Sequence, residues 1–235
     1  MLIDSVPLWY TQTNCYVVAP EAGGPCLVID APPDPRGVAE LCARRDLAPV
    51  ALVVTHGHVD HVGGAGAVEE QLRVVTYVHP DDDFLSLHPL RQVIALMGEV
   101  LPGEYRPPAS RRPLADGDVL ALAGLEMAVL HTPGHTPGHC CFHLEEEGIL
   151  FSGDQLFRDS IGRTDLPGGD YAQEMSSIVD KLLMLPDDTI VLPGHMDQTT
   201  LGAERVQNPF ILQTLQQRGL QPGERQTPGG LILPN

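Results

Sequence analysis

Four short apolar runs share one feature: "ALVVTHGHVDH" (51–61), "MAVLHTPGH" (127–135), "ILFSGD" (149–154) and "IVLPGH" (190–195). Each is a β-branched or aliphatic run of strand length, which predicts a buried strand, and each ends in a turn that carries His or Asp. Polar, metal-competent side chains are therefore expected to gather at one sheet edge, where loops on a rigid scaffold commonly form ligand sites. Between the strands the period becomes helical. "DPRGVAELCARRDL" offers Asp34 as N-cap, Pro35 at the first helical position, and Val38, Leu41 and Cys42 on one face. "DYAQEMSSIVDKLLMLP" offers Asp170 as N-cap with Gln173 three residues later, then Met175, Ile178, Leu182 and Leu183 at helical spacing until Pro186.

"DVLALAGLEMAVL" (118–130) predicts a hairpin turning at Ala123-Gly124, so strands and helices mix rather than strictly alternate. The expected organisation is one domain over residues 1–235. Residues 80–113, with a short apolar helix and a Pro-Arg loop, read as an insertion over the rim of the site. The Pro- and Gly-rich stretch 218–235 reads as an extended tail.

"HTPGHTPGH" (131–139) spaces three histidines four apart, as one face of a helix would. Pro133 and Pro137 forbid the helix, because each removes a donor and pushes the preceding residue out of the α region. The stretch is read as two successive Pro-Gly turns. The residues alone do not rank His131, His135 and His139 as ligands.

At 235 residues the chain is long enough to bury a full core. No stretch is apolar for long enough to cross a bilayer, and "MLIDSVPLWY" has neither a basic start nor an apolar signal core, so a cytoplasmic protein is expected. Five cysteines without a CxxC pair fit reduced, buried thiols. A formal charge of -17 repels phosphate backbones and argues against a nucleic-acid partner.

In "HGHVDH" (56–61), alternation along an extended segment points His56, His58 and Asp60 together and His61 elsewhere. That geometry suits two adjacent metals, His56 and His58 on the first and Asp60 with His61 turned to the second. Three His and one Asp within six residues after a buried strand would be costly polar surface to pack without a partner. Imidazole and carboxylate donors without thiolates describe a catalytic, zinc-type site.

The sequence resembles the metallo-β-lactamase-fold hydrolases. HxHxDH at 56–61, TPGH at 132–135, SGD at 152–154 and PGH at 193–195 occur in that family's order along almost the whole chain. The resemblance implies an α/β fold, an αββα sandwich of two mixed sheets flanked by helices, with a dinuclear metal site at the edge between the sheets. It implies that His56, His58 and His135 hold one divalent ion, that Asp60, His61 and His195 hold the other, and that Asp154 bridges them. His131 and His139 then stabilise turns or orient ligands. Zinc is the expected metal, with iron or manganese as alternatives. The two ions would share a hydroxide that attacks the substrate carbonyl, with Asp60 as catalytic proton holder.

Within the family, "NCYVV" (14–18), "VIDAPPDP" (28–35), "IGRTDLPGGD" (161–170) and "LGAERVQNPF" (201–210) are similar to the short glyoxalase II-like branch. This implies a small-molecule thioester substrate such as S-lactoylglutathione, with Arg163 in the substrate-binding position. Asp165 and Asp197 stand where the long enzymes carry tyrosines, and only forty residues follow His195, too few for their glutathione-gripping helical domain, so weak dependence on glutathione is expected. The chief rival is a persulfide dioxygenase with one iron on His56, His135 and Asp154. Against it, GRTD continues "LPGGD" rather than that family's "FQ", and His139 stands where its Cys is expected. A lactonase is a nearer alternative, and a non-enzymatic metal-binding module is the remaining class.

Overall fold

The antiparallel strands Leu2–Leu8 (β1) and Thr13–Ala19 (β2) open the chain of the computed structural model, which describes residues 1–221 and the backbone of 224–226 and 232–234. Pro25–Ile29 (β3) pairs antiparallel to β2. Ala48–Val53 (β4), Val75–Val78 (β5) and Arg111–Pro113 (β6) then add in parallel, giving a six-stranded mixed sheet in the order β1-β2-β3-β4-β5-β6. Parallel neighbours need crossovers, and helices supply them. Pro35–Ala43 (α1) links β3 to β4, and Val59–Val62 (α2) with Ala65–Leu72 (α3) links β4 to β5. Asp34 caps α1 by accepting from the Gly37 N–H, and Val38, Leu41 and Cys42 are its buried face, as the sequence predicts.

The segment after β5 holds Asp83–Ser86 (α4) and Pro89–Met97 (α5), and its end forms β6. The apolar pattern predicts only one short helix here. The strand was missed because "RRP" is exposed and polar at a sheet edge, where no alternation betrays it.

Val119–Leu122 (β7) and Leu125–His131 (β8) form the predicted hairpin, with Ala123 and Gly124 both at positive φ (55° and 77°), the backbone of a type I′ turn. The second six-stranded sheet runs β14-β13-β10-β9-β8-β7, built also from Cys140–Leu144 (β9), Ile149–Gly153 (β10), Ile190–Pro193 (β13) and Thr199–Thr200 (β14). Leu156–Phe157 (β11) and Ser160–Ile161 (β12) form a small ribbon. Tyr171–Asp180 (α6), capped by Asp170 through the Gln173 N–H, continues as a 3-10 turn at Leu182–Met184 before Pro186. Leu201–Gln207 (α7) and Pro209–Gln217 (α8) follow, Asn208 capping the latter.

The chain divides into two compact units, Met1–Val129 and Leu130–Asn235. In the first, Val17, Val28, Leu52 and Val54 pack with Val38, Leu41 and Val68. In the second, Cys141, Leu150 and Val191 pack with Met175, Ile178 and Leu215. All five cysteines are buried and free. Of the stretch expected to be an extended tail, Glu224–Gln226 (β15) and Ile232–Pro234 (β16) pair antiparallel, while 222–223, 227–231 and 235 lie outside the described residues.

Candidate metal centre

In the first unit, β4 ends at Val53 and delivers Thr55, His56 and His58 in a loop, after which α2 begins with His58 as its N-cap. Asp60 and His61 therefore lie on a helical turn, not on a continuing strand. The alternation that predicts His61 facing away fails for this reason: the His61 and His56 rings are 4.1 Å apart. His56 Nε2 and His58 Nδ1 face each other at 3.1 Å, and Asp60 Oδ2 is 3.7 Å from His61 Nε2.

Hydrogen bonds fix which ring nitrogen is exposed to a cation. Thr55 Oγ1 donates to Asp30 at 2.8 Å, so it accepts from His56 Nδ1 at 3.1 Å and leaves His56 Nε2 without its proton. His61 Nδ1 donates to Asp30 Oδ2 at 2.7 Å, leaving its Nε2 likewise an acceptor. A carboxylate behind an imidazole in this way is the usual support of a metal-bound histidine. Thr13 Oγ1 donates to Asp60 Oδ2 at 3.1 Å.

In the second unit, β10 and β13 are parallel neighbours, so Asp154 and His195, just beyond their C-terminal ends, leave the sheet at the same edge. A register shift between Phe151 and Gly153 re-aims the chain immediately before Asp154. Asp154 Oδ2 lies 3.7 Å from His135 Nε2 and 3.4 Å from His195 Nε2. His135 Nδ1 donates to the Arg163 carbonyl at 2.7 Å, again freeing Nε2 as a donor to metal.

The other two histidines of the repeated motif are engaged in its turns. His131 Nε2 donates to the Pro137 carbonyl at 2.8 Å, and His139 accepts from the Asp154 N–H at 3.1 Å while donating through Nδ1 to Thr132. Glu174 is fully buried on α6 beside this loop. Burial pushes its carboxyl well above the usual range, the nearby His135 N–H opposing and the charge of Asp154 adding. Gly162 is required by close approach, because a Cβ there would stand 1.9 Å from the Asp154 carbonyl oxygen.

Within each unit the donor atoms are spaced as a cation needs them. Ligands at about 2.0–2.1 Å around a tetrahedral ion lie roughly 3.3 Å apart, and the four spacings above run from 3.1 to 3.7 Å. The donor set is imidazole and carboxylate throughout, suited to a divalent ion.

Arg163, expected to bind substrate, has its exposed guanidinium in a two-pronged pair with Asp165, both contacts at 2.7 Å. That pair holds the Asp165 carboxyl down at about 2. The contribution the sequence did not predict is the Arg163 carbonyl on His135. Asp30 and Thr55 were also missed as supports, although "CLVID" (26–30) ends a strand in an acid just as "ILFSGD" does.

A family model described as the metallo-beta-lactamase superfamily matches residues 8–195. The chain is 37% identical to the hydroxyacylglutathione hydrolase GloC of Haemophilus influenzae over 215 residues, covering 90% of this chain and 98% of that one. It superposes on the crystal structure of the BLEG-1 B3 metallo-beta-lactamase with a TM-score of 0.81 at 34% identity, covering 89% and 99% of the two chains. It superposes on TTHA1623 in a di-iron-bound form with a TM-score of 0.78 at 40% identity, covering 88% and 99%.

Proposed function

The chain belongs to the metallo-beta-lactamase superfamily, with that family's αββα sandwich fold and a His/Asp metal site, and on this footing we propose that it is a dinuclear hydrolase of acyl thioesters. Its metal-dependent hydrolase character comes with the family, and the thioester substrate is our reading. The observation that supports the dinuclear reading is the carboxylate oxygen of Asp154 set close to the imidazole nitrogens of both His135 and His195, from where it would serve two ions.

In this reading His56, His58 and His135 hold one ion, Asp60, His61 and His195 hold the other, and the single domain of residues 1–235 provides both donor sets. Two divalent ions, zinc on this reading with iron or manganese as alternatives, would supply Lewis acidity for a carbonyl and lower the pKa of water towards about 7. Asp60, held by Thr13, keeps a carboxylate beside His61 that can take a proton at its oxygen as the thioester carbonyl is attacked. Asp30 and the Arg163 carbonyl keep the rings of His61 and His135 in one tautomer throughout. The thioester assignment is supported by the similarity to GloC, and the site of action by buried free thiols, which suit a reducing cytoplasm. No helix among the described residues is long and apolar enough to cross a membrane.

The test pairs metal analysis of aerobically and anaerobically purified protein with assays of thioester hydrolysis and oxygen uptake. Two ions per chain with hydrolysis and no oxygen uptake support the reading. One iron with oxygen consumed in the presence of a persulfide overturns it in favour of the dioxygenase chemistry.

A further inference from the structure

The peptide of Gly57 lies between two proposed ligands, His56 and His58, and the segment after β5 holds it from both ends. The Gly57 N–H donates to Asp82 Oδ2 at 2.7 Å, and the Gly57 carbonyl accepts from Gln92 Nε2 at 2.8 Å. Gln92 Oε1 in turn accepts from the Val59 N–H at 3.1 Å, at the first residue of α2. The Gln92 amide is oriented unambiguously, because Nε2 also donates to the Leu85 carbonyl at 2.9 Å. Asp82 is fully buried, and a Cβ on Gly57 would come within 2.9 Å of the side chains of Asp82 and Leu85, so the loop is pressed against this segment as well as bonded to it.

From this geometry we infer that Asp82 and Gln92 are positioning residues of the metal centre: they clamp the two peptide planes that flank the Gly57 Cα and thereby set the angle between the His56 and His58 rings. The inference rests on the proposed ligand set. The Gly57 N–H belongs to the peptide that joins it to His56 and the Gly57 carbonyl to the peptide that joins it to His58, so the two bonds pin both planes, and the ligand residue attached to each inherits that rigidity. His61 is held in addition by Asp30, so the clamp, although Gln92 also meets the first residue of α2, acts chiefly on the first pair of ligands. Supports of this kind commonly carry ten- to a hundred-fold in metal affinity. The residues 80–97 are on this account a working part of the centre, since they order the loop before any ion arrives.

The full-length protein, stripped of metal, is titrated with zinc against a chromophoric chelator. Wild type, Gln92→Met, Gln92→Glu, Asp82→Ala and Asp82→Asn are compared, with the melting temperature of each apo form recorded. Gln92→Met and Asp82→Ala are expected to weaken one ion about ten- to a hundred-fold and leave the other within a few-fold. Gln92→Glu should do no better than Gln92→Met, because it sets an oxygen against two carbonyls, and Asp82→Asn should recover most of the loss by keeping an acceptor for the Gly57 N–H. Glu69→Gln is the control for docking of the segment in general. Glu69 accepts from Ala109 and Ser110 further along it, so this variant should lower the melting temperature without changing zinc affinity.

Unchanged affinity in both Gln92→Met and Asp82→Ala, or an equal loss in Glu69→Gln, overturns the clamp. If wild type takes up one ion only, the dinuclear reading fails on its own, and the same variants then test the clamp on that ion.

Discussion

The backbone N–H of Asp154 donates to Nε2 of His139 at 3.1 Å, so one histidine of the repeated motif holds the residue that lies between two others. Thr132 fixes the other side of the same ring at 2.9 Å. His139→Ala should keep two metals per chain but weaken them about ten- to a hundred-fold, the usual cost of losing a support of this kind. His131, whose Nε2 donates to the Pro137 carbonyl of its own turn, should tolerate alanine with full metal content. Loss of a whole metal equivalent in His131→Ala would overturn the choice of His135 as ligand, and metal analysis after gel filtration decides it.

Asp154 Oδ2 stands close to both His135 and His195, one proposed ligand of each ion. Asp154→Ala should therefore disturb both ions and abolish turnover, while His135→Ala mainly weakens the first. A variant Asp154→Ala that retains two metals and normal turnover shows that the carboxylate does not bridge.

The four apolar strands, the two helices read from their caps and the Ala123-Gly124 hairpin were legible because each is a local matter: a run of Val and Leu, an Asp before a helical period, a Gly after an Ala. The proposed ligand set comes from spacing and resemblance. Its supports were not legible, because Asp30, Asp82 and Gln92 reach the HGHVDH loop from 25 to 35 residues away in sequence. No period or motif in a single chain encodes such a separation. His61 was misdirected for a different reason. Its orientation depends on where the strand gives way to a helical turn, and a one-residue change in that boundary reverses the side-chain pattern.

Burial holds His143, on β9, below the ordinary histidine value of 6.5, with Glu145 pulling it partly back, and no hydrogen bond to its Nε2 is found among the described residues. The unfolded chain takes up a proton as the pH falls through about 6.5, and the folded chain resists it. Stability from this residue is therefore complete above that pH and declines below it until the folded ring is itself protonated. His143→Leu should remove the slope. Melting temperatures of both proteins, chelated to exclude metal loss, are expected to diverge in favour of the variant between pH 7.5 and 5.5. A constant difference across that range rules out the titration.

The guanidinium of Arg163 is occupied by Asp165, and this bears on what the enzyme can grip. Asp165 keeps its charge down to about pH 2, and Asp197, itself paired at 3.4 Å with Arg158, adds another exposed carboxylate. Glutathione brings two carboxylates of its own, so a two-pronged contact with the Nε side of Arg163 must displace Asp165, and a contact elsewhere on the guanidinium places like charges together. Binding energy from parts of a substrate remote from the reacting bond drives specificity, and here little of it is available from this side chain. Discrimination between S-lactoylglutathione and the same acyl group on a smaller thiol should be weak. Asp165→Ala, by releasing Arg163, should raise kcat/KM for the glutathione ester more than for the small one. The measurement is the ratio of the two kcat/KM values in wild type and variant. A wild-type preference for glutathione above about a thousandfold, roughly 4 kcal/mol, would show that another surface supplies the grip, and an unchanged ratio in Asp165→Ala would show that Arg163 takes no part in it.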